Sequence, residues 1–276
     1  MNKNAIIISI SSDIGLYFAE QWLAKGWNIA GTYRTGSENL ERLQTMGAAL
    51  TYCDLLSKKS INEACAGLLT KMPNWDYLIF AAGELRPIGP FSQVSFSAWE
   101  KNIRINFLSN LKILQKLLVS RSQHSPCVLF FAGGGTNNAT TNYSGYTISK
   151  IALIKMCELL AAEISDTRFI IVGPGWIKTK IHKATFEAGR KFAENNYERT
   201  LQKLRECSGQ NLHSIYKKCT ILLEKGPSCI SGCNFSLVND PIDTSELFSA
   251  LEQDPNMYKL RRNKNDYFSN NICSQK

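Results

Sequence analysis

A chain of 276 residues, 44% of them hydrophobic, has enough apolar surface for one large core, which excludes disorder as the default state. Its formal charge of +9 comes from scattered lysines and arginines with one modest cluster at Lys259, Arg261, Arg262 and Lys264. That pattern fits a solvated surface attracting a phosphate-bearing ligand and gives no nucleic-acid partner. Nine widely spaced cysteines and no signal peptide point to a reducing compartment, the cytoplasm. No apolar run approaches the length of a bilayer span, so no membrane partner is expected. Cys229 and Cys233 lack a second pair and His124, His182 and His213 are isolated, so no metal site is expected.

In chain order, residues 5–10 form a short apolar run that reads as a buried strand. Ser9-Ile10-Ser11-Ser12-Asp13-Ile14-Gly15 then turns into a helix whose apolar residues (Leu16, Phe18, Ala19, Trp22, Leu23) keep helical spacing up to Lys25-Gly26. Strands follow at 27–32 and 48–52, with helices at about 38–46 and after Ser57. A fourth strand, 77–82, ends at Gly83; a long helix covers about 95–120; a fifth strand, 127–132, ends in three glycines. A helix carrying Tyr146 and Lys150 precedes a sixth strand at 168–172, which ends in Gly173-Pro174-Gly175.

Residues 179–228 are charged and helical in pattern, and read as an insertion before the last strand at 230–238. Either a substrate-side lid or an inert pair of surface helices fits that composition. Strands alternating with helices predict a doubly wound, mostly parallel seven-stranded sheet with helices on both faces, Rossmann-like, in a single domain over 1–262. Residues 263–276 are expected to be a loose tail. Ligands of such sheets bind beyond the carboxyl ends of the strands, where these glycine-rich ends lie.

Tyr146 and Lys150 stand four apart, so both project from one side of a helix. Bringing a phenol from about 10 to about 7 takes roughly 4 kcal/mol. One ammonium about 4 Å away at an effective dielectric near 20 supplies about that much. Tyr146 could then exchange a proton with a carbonyl or alcohol oxygen.

Together these residues resemble the short-chain dehydrogenase/reductase family over roughly 5–240. The resemblance rests on Tyr146-x-x-x-Lys150, Ala81-Ala82-Gly83 at a strand end, Asn106 in the middle helix, Asp54-Leu55 after the third strand, and Pro174-Gly175 with Thr179 after the sixth. It implies Tyr146 as general acid/base and Lys150 as the residue that lowers its pKa and holds the nicotinamide ribose. It implies Asn106 as holder of a relay water, with a helix amide satisfying backbone as the alternative. Asp54 would bond the adenine or simply cap the next helix. Ser9, Ser11, Ser12, Ile14, Gly15, Leu55, Ala81, Ala82, Gly83, Pro174, Gly175, Ile177 and Thr179 are expected along the cofactor. A homodimer or homotetramer is also implied.

At the end of the second strand Thr32-Tyr33-Arg34-Thr35 offers no carboxylate for ribose hydroxyls but supplies a guanidinium, so NADP is preferred to NAD unless Arg34 is only a surface residue. Two positions depart from the family. In its phosphate turn, Thr-Gly-x-x-x-Gly-x-Gly, Ser9 and Asp13 replace two glycines. A carboxylate there repels a diphosphate unless it turns away to cap the helix. Thirteen residues before Tyr146 the usual serine is Gly133, and losing such a donor elsewhere costs about 100- to 1000-fold in rate. Thr136, or less readily Asn137, is the expected replacement on the flexible Gly133–Gly135 loop.

The resulting expectation is NADPH-dependent reduction of a carbonyl, on a sugar derivative or a 3-oxoacyl group. The alternative is a nucleotide-binding sensor or complex subunit that has lost turnover.

Overall fold

The computed structural model describes residues 2–206 and 209–262. Its centre is β1 (Asn4–Ile8), whose Ala5 to Ile8 are completely buried because neighbours pair with both of its edges and helices cover both of its faces. The other strands are β2 (Asn28–Tyr33), β3 (Ala49–Tyr52), β4 (Tyr77–Phe80), β5 (Cys127–Phe131), β6 (Arg168–Gly173) and β7 (Asn234–Ser236). They form one sheet in the order β3-β2-β1-β4-β5-β6-β7, with every pairing parallel. The chain winds outward from β1 to β3 and then restarts at β4 on the other side. A crevice opens at that switch between β1 and β4.

Helices α1 (Asp13–Ala24), α2 (Glu38–Thr45), α9 (Leu212–Lys225) and α10 (Ser245–Gln253) cover one face through Phe18, Trp22, Leu40, Ile215, Leu222 and Leu247. Helices α3 (Lys58–Lys71), α5 (Ser109–Leu117) and α6 (Ser144–Glu163) cover the other through Ile61, Leu68, Ile113, Leu153 and Cys157. Helix α4 (Phe96–Ile103) runs into α5 through a wider π turn at Arg104–Leu108, so the expected long helix at 95–120 is one rod with a local bulge.

Three boundaries differ from expectation. β1 stops at Ile8 because Ser9 takes φ +61°, although Ile10 remains buried and its N–H still bonds Thr32 O. β7 is three residues long, because residues 228–230 form a helical turn and Gly232 (φ +82°) redirects the chain. Only part of the expected insertion stands outside the sheet's packing. Helices α7 (Lys183–Ala193) and α8 (Asn195–Arg205) lie at its end, whereas α9 packs Ile215, Cys219 and Leu222 into the core at helical spacing. No helix among the described residues is long and apolar enough to cross a membrane. The expected tail at 263–276 lies outside the described residues.

Candidate active site

Between β1 and α1 the chain makes the turn that the sequence places against a phosphate. Ser9 adopts the left-handed conformation usually left to glycine, held by its N–H donating to Thr32 Oγ1 at 2.9 Å. Gly15 cannot be replaced cheaply, because a Cβ there would stand 2.8 Å from Ser9 O. Ser12 caps α1, its Oγ accepting from Gly15 N at 3.0 Å. The main-chain N–H groups of Ser11, Asp13 and Ile14 bond to nothing among the described residues, leaving three donors clustered at a helix N-terminus. Asp13 does turn away, but it caps nothing: its Oδ2 accepts the N–H of Lys180 at 2.8 Å, in the segment after β6.

Arg34, at the exit of β2, is exposed and lines a depression of about 540 Å³ with Leu56, Glu84, Arg86 and Lys101. Asp54 closes a local turn, its Oδ1 accepting from Leu56 N at 2.9 Å, while Ser57 caps α3. Leu55 is buried and its carbonyl accepts from Ser109 Oγ at 2.6 Å. Ala81 and Ala82 are buried at the exit of β4. Gly83 is overlain by Ile181, whose Cδ1 would lie 3.1 Å from a Cβ there.

Lys150 is buried on α6 and donates to Phe131 O at 2.9 Å and Ala82 O at 3.4 Å, tying α6 to the exits of β4 and β5. Its Nζ lies 5.7 Å from the centre of the Tyr146 ring, and no hydrogen bond joins it to the hydroxyl. The expected acidification of Tyr146 is therefore absent in this conformation. Burial raises Tyr146 to about 12, and burial lowers Lys150 to about 8. The ammonium is buried and committed to carbonyls, while Tyr146 is partly buried.

Tyr146 rests against Gly133. A Cβ at position 133 would stand 2.6 Å from its Cε1 and 2.8 Å from its hydroxyl, so the phenol ring fills the room that the family's serine would need. Among the described residues no hydrogen bond links Thr136 or Asn137 to Tyr146. The ring packs instead against a buried cluster formed by Leu85, Ile88, Tyr143, Ala184 and Ala193.

Asn106 is fully buried in the π turn, and protein groups use its amide. Oδ1 accepts Glu84 N at 3.0 Å, and Nδ2 donates to Glu84 O and Asn102 Oδ1, both at 2.8 Å. Its carbonyl accepts from Asn110 Nδ2 at 2.9 Å. Asn106 thus satisfies backbone and anchors the loop after β4, its two amide N–H groups being taken by protein acceptors. Asn102 and Asn110 were not singled out, although the spacing of four that joins the three asparagines is visible in the sequence.

Beyond β6, Pro174 and Gly175 (φ +75°) turn the chain beneath Val238, and Ile177 is buried, its carbonyl accepting from His182 Nε2 at 2.8 Å. Thr179 precedes a helical turn at Lys180–His182 that reaches both Asp13 and Gly83. No sequence signal marked Lys180 or Ile181, because their partners lie far away along the chain.

A family model described as enoyl-(acyl carrier protein) reductase, of the short-chain dehydrogenase/reductase type, matches residues 9–236. The chain belongs to the short-chain dehydrogenase/reductase family. The family is one of oxidoreductases that use NAD(P) and act on small molecules. Among its relatives, the uncharacterized oxidoreductase YbbO of Escherichia coli is 26% identical over 183 residues, 65% of this chain and 68% of the relative. The 3-oxoacyl-[acyl-carrier-protein] reductase FabG of Rickettsia prowazekii is 27% identical over 188 residues, 64% of this chain and 73% of that one. Among solved structures, the short-chain dehydrogenase/reductase YIR035C of Saccharomyces cerevisiae superposes with TM-score 0.79 at 20% identity, over 94% of this chain and all of that one. Actinorhodin polyketide ketoreductase, solved with NADPH, gives 0.73 at 19% identity, over 87% and 98%. At such identities the superpositions speak for the fold.

Proposed function

We propose that this oxidoreductase reduces the carbonyl group of a small, largely apolar compound with NADPH, Tyr146 giving the proton. The observation that carries the reading is the trio of unpaired N–H groups at Ser11, Asp13 and Ile14, on the same sheet rim as Lys150 and Tyr146. Such donors suit a diphosphate, and the strand exits on either side suit its two nucleosides.

Arg34 and Lys101 line one depression at the β2 side and would meet a 2′-phosphate, with Ala81 to Gly83 along the chain of the dinucleotide. Bound there, the reduced nicotinamide supplies a hydride to the carbonyl carbon. Lys150 keeps the ribose side of the pocket fixed through Phe131 O and Ala82 O. Tyr146, raised to about 12, is protonated at neutral pH, so it is ready to hand a proton to the oxygen that becomes an alkoxide. Handing the proton over leaves a phenolate, which the same burial disfavours whichever way the reaction runs. Leu85, Ile88, Tyr143 and Ala184 surround Tyr146 with apolar surface, which suits a ketone or 3-oxoacyl chain and leaves a sugar's hydroxyls unpaired. The reductase and ketoreductase among the similar proteins agree with that direction.

A second reading, a nucleotide-binding protein with little turnover, is favoured by one observation. Tyr146 occupies the space beside Gly133 in which the family's serine would stand, so the reacting centre has neither that donor nor room for it in this conformation. Fluorescence titration with NADPH and NADH, then turnover of a ketone panel by the wild type and Tyr146→Phe, separates the two. The reductase reading expects NADPH binding by both proteins and a rate at least about 100-fold lower for the variant. Binding without turnover in either protein supports the second reading, and equal rates remove the role of Tyr146.

A further inference from the structure

A carboxylate at position 13 should weaken any diphosphate site at the start of α1, yet the structure surrounds it with compensation. Asp13 Oδ2 takes the N–H of Lys180 at 2.8 Å, and the Lys180 side chain reaches back across the same turn so that Nζ donates to Ser11 O at 2.5 Å. One residue therefore binds the turn twice, with its amide on the Asp13 carboxylate and its ammonium on the Ser11 carbonyl, in the same turn that carries the unpaired N–H groups of Ser11, Asp13 and Ile14.

We propose that Lys180 is a diphosphate-binding residue, and that Asp13 is the positioning residue that holds it there; the proposal rests on the dinucleotide reading above. Two glycines of the family's turn are absent at Ser9 and Asp13. Ser9 keeps the backbone path by adopting φ +61°, but it brings no charge. Asp13 adds a negative charge and spends it on fixing the segment after β6. That segment returns a positive charge to the place where α1 presents its donors, and the helix dipole acts in the same sense. In the unliganded protein the ammonium has a main-chain carbonyl as its partner. Exchanging that neutral acceptor for a phosphate oxygen pairs the ammonium with an anion and makes the bond stronger.

The test measures dissociation constants of NADP⁺, inorganic pyrophosphate and adenosine 2′-monophosphate by tryptophan fluorescence and calorimetry, at two salt concentrations. Lys180 is exposed, so its replacement should leave folding intact. Lys180→Met is expected to weaken NADP⁺ and pyrophosphate about tenfold or more at low salt, with a shallower salt dependence, and to leave adenosine 2′-monophosphate unchanged. Lys180→Arg should recover most of the loss. Asp13→Asn, which keeps an acceptor for the Lys180 N–H but removes the charge, should tighten pyrophosphate a few-fold. If the wild type binds NADP⁺ and Lys180→Met binds it equally well, Lys180 has no such role and the dinucleotide reading survives. A wild type that binds neither NADP⁺ nor NAD⁺ overturns both. Equal weakening of all three probes also overturns the proposal, because it marks a general disturbance of the cleft.

Discussion

Restoring a serine at position 133 tests whether Tyr146 reacts from where the structure holds it. A Cβ on residue 133 would stand 2.6 Å from Tyr146 Cε1, 2.8 Å from its hydroxyl and 2.9 Å from Cζ. Carbon atoms in ordinary contact are about 3.5–4.0 Å apart, so the overlap is roughly 1 Å and the ring must move. On one side its movement is limited by the buried cluster of Leu85, Ile88, Tyr143, Ala184 and Ala193. Overfilling of that kind costs about 1–3 kcal/mol, which in a chain of this size lowers Tm by roughly 2–10 °C. Gly133→Ala carries the same steric load without a hydroxyl and serves as the control. Scanning calorimetry should show both variants melting lower by similar amounts. Ketone turnover should fall in both, with no advantage for serine, because a displaced phenol offsets the added donor. A Gly133→Ser enzyme about 100-fold faster than wild type, with an unchanged Tm, would refute the reasoning: the contact between Tyr146 and Gly133 would then not belong to the working conformation.

Arg34→Met should raise the dissociation constant for NADPH about tenfold and leave NADH within twofold; an equal effect on both, read by titration, removes the 2′-phosphate role. Asn106→Ala leaves the part-buried Glu84 N–H and the buried Asn102 Oδ1 without a partner, and should cost about 1–3 kcal/mol in urea unfolding, whereas a loss below about 0.5 kcal/mol would mean that the loop after β4 is held by other contacts. Glu158, on α6, accepts from Arg261 and Lys155, each at 2.8 Å, and its carboxyl is held down at about 2, by Arg261 above all. Because the folded value lies below the unfolded one, its stabilisation is full above about pH 4.5 and fades as pH falls through about 2. Partial exposure limits it to about 1 kcal/mol, and acid unfolding of Glu158→Gln should lose that part of the pH dependence. An unchanged acid profile would show that the Arg261 contact contributes nothing in solution.

Much of the architecture could be read along the chain. Apolar runs at strand length, helices with repeating apolar faces and glycines at strand ends suffice for an alternating α/β sheet, because each signal is local. The misreadings share a cause. α9 looked like part of an insertion because lysines on its outer side masked Ile215, Cys219 and Leu222, whose burial depends on the neighbouring α1. The last strand is shorter than its apolar pattern suggests, because Ile230 and Cys233 serve the core from a turn.

At the candidate site the division is sharper. The spacing of Tyr146 and Lys150, the missing serine at 133 and the carboxylate at 13 belong to the sequence alone, and they were enough to place the chain in a family and to state its anomalies. Where the Lys150 ammonium goes, what Tyr146 leans on and which group answers Asp13 were decided only in three dimensions. Those outcomes depend on Phe131, Gly133 and Lys180 arriving from other strands and loops, and on a burial that raises one proton affinity while lowering another. Spacing fixes which side chains can meet within a turn of helix; desolvation and contacts across many residues fix what they do there.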